Sequence, residues 1–217
     1  MSGLALDAVS LAQPGDAPPF APLFAPLTLT VPPGQVTVVM GPSGIGKSTL
    51  LAHIAGVLGP DWSARGRVTL DGRDLAGVPA ERRRVGLMFQ DALLFPHLSV
   101  GANLAFGLAP GVRGRAARRA AVEEALRQAG LAGMADRDPA SLSGGQSARV
   151  ALMRTLLARP RALLLDEPFS RLDAALRADL RAFVFAHATA AAIPVLLVTH
   201  DAADAAAAGG LVIQLRT

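Results

Sequence analysis

The sequence predicts an α/β fold organised around a mostly parallel sheet. Three short apolar runs, Val36-Thr-Val-Val-Met40, Ala162-Leu-Leu-Leu-Asp166 and Pro194-Val-Leu-Leu-Val-Thr199, lack polar alternation and read as strands buried on both faces. Helical patterns separate them, and strands alternating with helices imply parallel pairing with helices on both faces of the sheet. A chain of 217 residues, 51% hydrophobic and 18% charged, can bury a sizeable core, which excludes a disordered chain.

Taken in order, residues 4–11 alternate loosely as a first strand, and 16–26 form a Pro-rich loop. Residues 27–31 (LTLTV) alternate cleanly as a strand that stops at Pro32-Pro33-Gly34, a turn signal. The run 36–40 enters a glycine-rich loop at Gly41, and Ser48 to Val57 reads as a helix. Short strands are expected at 67–70 and 85–89, with the charged run Glu81–Arg84 between them as a solvated turn. From His97 to about Gly133 the pattern becomes helical and rich in Arg and Ala, punctuated by Gly107, Pro110, Gly111 and Gly114, as expected of an inserted helical subdomain. After Ser141 come a helix to about Ala158, the strand 162–166, an amphipathic helix over about 174–189 and the strand 194–199. A short helix and a last strand at 211–215 close the series.

Composition narrows the class. The longest uncharged apolar stretch, between His187 and His200, is broken by Pro194 and is too short to span a bilayer. No basic residue precedes Lys47, which argues against a secretory signal, and without cysteine there is no disulfide framework. A soluble, cytoplasmic protein is expected. The pI near 11.1 overstates the basicity: net charge is +4, and without Tyr or Cys little titrates between the histidines and the arginines. Of 21 basic residues, 20 are Arg and one is Lys47, which suggests a task for a compact point charge that a planar guanidinium cannot perform. The Arg113, Arg115, Arg118, Arg119 cluster has no interleaved aromatics for base stacking and reads as a solvated helix face, so no nucleic-acid partner is expected.

Three motifs carry chemistry. Gly41-Pro-Ser-Gly-Ile-Gly-Lys47-Ser48 matches the phosphate-binding pattern G-x-x-x-x-G-K-[ST] between a strand and a helix. Its glycines let backbone N–H groups converge on phosphate oxygens at a helix N-terminus. Lys47 would reach the β/γ-phosphates and the Ser48 hydroxyl would ligate Mg²⁺. Leu163-Leu-Leu-Asp166-Glu167 ends a buried strand in two carboxylates, at the strand end where α/β sheets bind ligands. Asp166 suits the Mg²⁺ shell and Glu167 the general base for the attacking water. Leu142-Ser143-Gly144-Gly145-Gln146 opens a helix with a hydroxyl, N–H donors and a helix dipole. A bare Ser-Gly-Gly reads as an ordinary N-cap. Standing twenty residues before Asp166, it also reads as a second phosphate-binding device, for which a chain with one nucleotide has no use.

With these motifs the chain resembles the ATP-binding cassette (ABC) ATPases over essentially its whole length. The resemblance implies a P-loop, RecA-like core (about 1–90 and 151–217) carrying a small antiparallel β subdomain and an α-helical insertion at about 91–150. It implies nucleotide contacts from Gly41, Pro42, Ser43, Gly44, Ile45, Gly46, Lys47, Ser48 and Thr49. In this family each ATP is sandwiched between the P-loop of one subunit and the LSGGQ segment of another, here Ser143, Gly144, Gly145 and Gln146. Gln90 looks like the Q-loop residue that touches Mg²⁺ and the attacking water. Ser170-Arg-Leu-Asp173 looks like the D-loop, and His200 like the switch histidine at the γ-phosphate; without the family, Gln90 and His200 would be weak assignments. His53, His97 and His187 read as structural.

The segment Phe89 to Val100, with Asp166 to Asp173, is most similar to the ATPases of bacterial binding-protein-dependent importers, in particular a thiamine-type group. The resemblance does not extend to the C-terminal regulatory domain of sugar-importer ATPases. It implies a head-to-tail homodimer around two Mg·ATP, an integral-membrane permease, a periplasmic binding protein, and a place on the inner face of the membrane. The alternatives are an export or lipid-extraction ATPase, or a soluble cassette acting on DNA or the ribosome. Two positions depart from the family. Gln13 stands where an aromatic usually stacks on adenine, leaving Phe20 or Phe24 as candidates. Ser147 replaces the usual Arg after LSGGQ, with Arg149 retained.

Overall fold

A computed structural model describes residues 3–13, 21–170 and 172–216. Its strands are β1 (Leu4–Ala12), β2 (Leu27–Val31), β3 (Val36–Met40), β4 (Ser63–Leu70), β5 (Arg73–Asp74), β6 (Val85–Met88), β7 (Ala162–Asp166), β8 (Val195–Val198) and β9 (Val212–Gln214). Its helices are α1 (Lys47–Ala55), α2 (Ala80–Arg83), α3 (Val100–Phe106), α4 (Arg115–Gln128), α5 (Gly144–Leu157), α6 (Ala174–Ala190) and α7 (Ala202–Ala208). The chain divides into two compact units: Met1–Leu87, Arg161–Glu167 and Phe185–Thr217 form one, Met88–Pro160 and Pro168–Val184 the other.

The first unit holds two sheets. Strands in the order β6-β7-β8-β3-β9 make one, and its β7–β8, β8–β3 and β3–β9 pairs are parallel. Nearly every residue of β3, β7 and β8 is buried, which is why their apolar runs do not alternate. The second sheet, β2-β1-β4-β5, is antiparallel. Here period-two alternation returns: Leu27, Leu29 and Val31 of β2 point inward while Thr28 and Thr30 face water.

Strand β1 carries a bulge. Its register slips between Leu6 and Val9 against β2 and between Asp7 and Ser10 against β4, with Ala8 at φ 47. Opposite it, Gly66 at φ 88 comes so close that an added Cβ would lie 2.4 Å from the Ala8 carbonyl oxygen. Helix α1 buries Leu50, Leu51 and Ile54 in the core with Leu4, Leu6, Leu164 and Leu196, and it ends at left-handed Gly56.

The charged run 81–84 keeps Glu81, Arg82 and Arg84 in solvent, as expected. It forms the single helical turn α2, and Arg83 folds inward. Its Nε donates to the Val78 carbonyl (2.7 Å), and Nη1 donates to the carbonyls of His53 (2.8 Å) and Ile54 (2.9 Å). A guanidinium fork thus satisfies carbonyls at the C-terminal end of α1, which a count of charges cannot reveal. Strand β4 begins at Ser63, earlier than the sequence suggests, and β5 is an added two-residue strand.

The second unit is helical. Val100 and Leu104 of α3, Val122 and Leu126 of α4, and Val150 and Met153 of α5 form its core. Arg113, Arg115 and Arg119 are exposed, and Arg119 pairs with Glu123 one turn on (2.7 Å). Among the described residues, no helix is long and apolar enough to cross a membrane.

Candidate functional site

The C-terminal ends of three adjacent strands, β3, β8 and β7, converge in the first unit. The chain leaves β3 at Met40, turns through Gly41–Gly46 and enters α1 at Lys47. Gly44 (φ 81) and Gly46 (φ 102) take left-handed conformations. A Cβ on Gly46 would stand 2.8 Å from Leu23 Cδ1 and 3.3 Å from Phe24 Cε1, so glycine is required there on both counts. The helix has no side-chain cap and no acidic residue in its first turn, an arrangement that suits an anion at its N-terminus. Ile45 is buried, its side chain packing into the core.

Lys47 is only 6% exposed. Its Nζ donates to the carbonyls of Gly41 (2.9 Å) and Pro42 (3.0 Å) and lies 4.0 Å from Glu167 Oε1. A buried ammonium that reaches the loop carbonyls and a carboxylate together needs a slender stem, which accounts for the single lysine among twenty arginines. Asp166 ends β7. Burial raises its carboxyl above the ordinary Asp range, opposed by a hydrogen bond from Ser48, while the Glu167 charge adds to the rise and Lys47 works against it.

Glu167 has φ 45, and its N–H donates to the Val198 carbonyl (3.0 Å). Its Oε1 lies 3.0 Å from Nδ1 of His200, whose side chain is well exposed. Lys47, Ser48, Asp166, Glu167 and His200 are therefore brought together, at the strand ends where open α/β sheets take their ligands.

A small network sets the turn that presents His200, and the sequence reading missed it. The Asp201 amide donates to Thr199 Oγ1 (3.0 Å), and that hydroxyl donates to Asp204 (3.3 Å), which is buried. Asp201 caps α7 by accepting from the amides of Ala203 (2.7 Å) and Asp204 (3.4 Å). The available signal was an N-cap pattern, Asp followed by a carboxylate three residues on, directly after the histidine.

Ser143–Gln146, Gln90 and Asp173 lie in the second unit. Ser143 Oγ accepts from the Gln146 amide (3.3 Å) and Gln146 Oε1 accepts from the Ser143 amide (3.0 Å), a complete capping box at the start of α5. The amides of Gly144 and Gly145 are not part of that box. A Cβ on Gly145 would lie 3.1 Å from Leu176 Cδ2, a contact that this side chain could admit only by yielding a few tenths of an ångström. Asp173 accepts from the Leu176 amide (3.0 Å) at the head of α6, and Arg171 lies outside the described residues. Gln90, just beyond β6, is exposed. Arg149 donates to the Ala129 carbonyl (3.1 Å) and lies over the Phe183 ring.

Phe24 does not serve as a base platform. It is fully buried in the core beneath Gly46, and Phe20 lies outside the described residues. Gln13 is exposed at the end of β1.

Comparison with known proteins gives concordant results. A family model described as ABC transporter matches residues 24–170. The chain is 50% identical over 186 residues to an uncharacterised ABC transporter ATP-binding protein, YnjD, of Escherichia coli K12, covering 86% of this chain and 85% of that one. It is 49% identical over 172 residues to the thiamine import ATP-binding protein ThiQ of Cereibacter sphaeroides (79% and 73%). It is 50% identical over 184 residues to the Fe(3+) ions import ATP-binding protein FbpC of Streptomyces coelicolor (84% and 51%), so it spans about half the length of that relative. Among solved structures, the dimeric post-hydrolysis state of the ATP-binding cassette MJ0796, bound to ADP and Pi, matches with a TM-score of 0.81 at 28% identity, covering 98% of this chain and 94% of that one. The phosphate loop, the two carboxylates at the end of β7 and these likenesses agree: the chain belongs to the ABC transporter family, as one of its ATP-binding ATPases.

Proposed function

We propose that two copies of this chain close head to tail around two Mg·ATP and so drive an integral-membrane permease, in a solute importer served by a periplasmic binding protein. The carrying observation is the split of the phosphate-binding devices: the Lys47 loop stands in one unit and the Ser143 helix end in the other. A head-to-tail pair uses both on each nucleotide, consistent with the dimeric ADP-bound neighbour. Import is favoured by relatives named as import ATP-binding proteins for thiamine, ferric ions and sulfate or thiosulfate. The chain then sits on the inner face of the membrane, held there by the permease.

In this reading Gly41–Thr49 cradle the phosphates and Lys47 turns its ammonium to the β/γ oxygens. Ser48 and Asp166 would supply the oxygen donors for Mg²⁺, a pairing supported by the hydrogen bond from Ser48 to the Asp166 carboxyl. Mg²⁺, when bound, neutralises developing phosphate charge. Glu167 takes a proton from the attacking water, and His200, 3.0 Å from that carboxylate, holds it and faces the γ-phosphate. Gln90 reports nucleotide state to the permease, and Ser143–Gln146 and Asp173 complete the partner's site.

The test is Glu167→Gln, which keeps the shape of the base but removes its basicity. It should lower ATP turnover at least about 100-fold and leave an ATP-bound dimer on a sizing column, because binding does not need a proton acceptor. Native membranes incubated with this variant and Mg·ATP should yield a multi-span protein and a periplasmic binding protein. Unchanged turnover would overturn the base assignment. Recovery of nucleic acid or ribosomal proteins, with no membrane protein, would replace the transport reading.

A further inference from the structure

The loop between β6 and α3 contains no strand or helix, yet it is fixed by two side chains that the ATPase chemistry does not use. Asn103 of α3 is fully buried. Its Oδ1 accepts from the Phe95 amide (2.8 Å), and its Nδ2 donates to the carbonyls of Phe95, Leu98 and Ser99, each at 3.1 Å. Arg154, on the last turns of α5, donates from Nη1 to the Leu93 carbonyl (3.0 Å) and from Nη2 to the Ala92 carbonyl (3.2 Å). The same Nη1 reaches Asn103 Oδ1 (3.4 Å), and Cζ of Arg154 sits 5.2 Å from the centre of the Phe95 ring. Phe95 packs edge-on against Phe106, with ring centres 4.8 Å apart. Gly107 lets α3 approach so closely that an added Cβ would be 2.1 Å from the Arg154 carbonyl oxygen.

This clamp holds the loop in a costly shape. Leu93 is left-handed (φ 43) and 57% exposed, and Phe106 is 70% exposed. A strained, non-glycine residue persists only where its surroundings over-determine it, and such residues gather at functional sites.

We propose that Arg154 and Asn103 are positioning residues that lock the 91–99 loop to α5. A displacement of the Ser143–Gly145 end of α5 is thereby delivered to the loop as one rigid movement. Helix α5 has 14 residues and is about 20 Å long, with its capped N-terminus at one end and Arg154 near the other. A guanidinium holds two successive carbonyls in one plane, which a neutral amide at the same place cannot do. The inference rests on the proposed meeting of the Ser143 helix end with ATP.

The test is amide hydrogen exchange on the full chain, with the Glu167→Gln protein as parent and Glu167→Gln/Arg154→Gln beside it, each with and without Mg·ATP. Without nucleotide, exchange over 92–98 should rise at least tenfold in the double variant while the α4 core amides hold their rates. With Mg·ATP, both proteins should gain protection at 143–147. The parent should also change at 92–98, and the double variant should lose most of that second response. Arg154→Lys, which keeps the charge but not the planar fork, takes the place of Arg154→Gln if that variant does not fold, with the same outcomes expected. A parent and double variant that respond equally at 92–98 would overturn the clamp alone. A parent showing no protection at 143–147 would overturn the nucleotide reading, and the coupling with it.

Discussion

At the scale of single residues, the site concentrates charge where solvent cannot fully compensate it. Lys47 is almost wholly buried and touches loop carbonyls and Glu167 together. Lys47→Arg preserves the charge but not the geometry, so ATP hydrolysis should fall by about 100-fold or more, much as in Lys47→Ala, with the melting temperature little changed. Asp166 gives a pH test. Its folded-state pKa is raised, chiefly by burial, so neutral Asp166 contributes stability that is present below the unfolded value of 3.8 and lost as pH rises through the folded one. In protein free of Mg²⁺ and nucleotide, Asp166→Asn should therefore lose less stability than the parent as pH rises from about 4 to 7. Thermal melts across that range would show it, and equal slopes would contradict it. His53 has the opposite sign. Burial, helped by Arg83, lowers its pKa, so its contribution is present above 6.5 and lost as pH falls.

At the scale of elements, local chemistry written in the sequence decided most of the structure. The parallel strands were legible because β3, β7 and β8 are buried on both faces, and β2 because it is not. The P-loop and the Asp166-Glu167 pair were legible because their spacing and their place after a strand agree. What was hidden depends on partners remote in sequence. Arg83 is indistinguishable from Arg82 until the end of α1 is brought beside it. Phe24 resembles any aromatic in a Pro-rich segment until it is found beneath Gly46. The clamp on the 91–99 loop needed Asn103 and Arg154 to meet across 51 positions. The Ser143 segment supported two readings, and the capping box shows that it does serve as a cap. Ser143→Ala should cost about 1 kcal/mol in urea denaturation. If Ser143 also meets the partner's ATP, hydrolysis by the dimer should fall by more than that loss of stability explains.

At the scale of the whole molecule, the position from which an aromatic usually stacks on adenine in this family holds Gln13. Gln13 is exposed, and Phe24 is committed to the core. With the phosphates carrying most of the affinity, ATP and GTP should be hydrolysed at rates within about fivefold of each other, since a stacking contact is worth on the order of 1 kcal/mol. A competition assay with both nucleotides measures this directly, and strict ATP preference would show that another group reads the base.

The order of strands in the parallel sheet also governs when this site can first exist. The neighbours of β3 are β8 and β9, the last two strands among the described residues. On a polypeptide made from its N-terminus, Val36–Met40 emerges early and waits, apolar on both faces, until Val195–Val198 has been made. Pairing at such sequence separation is slow, and the waiting strand is exposed to misassociation. A nascent chain arrested before residue 195 carries the complete Gly41–Ser48 motif and should still fail to retain nucleotide. The motif that is easiest to find in the sequence is thus among the last parts of the protein to be assembled.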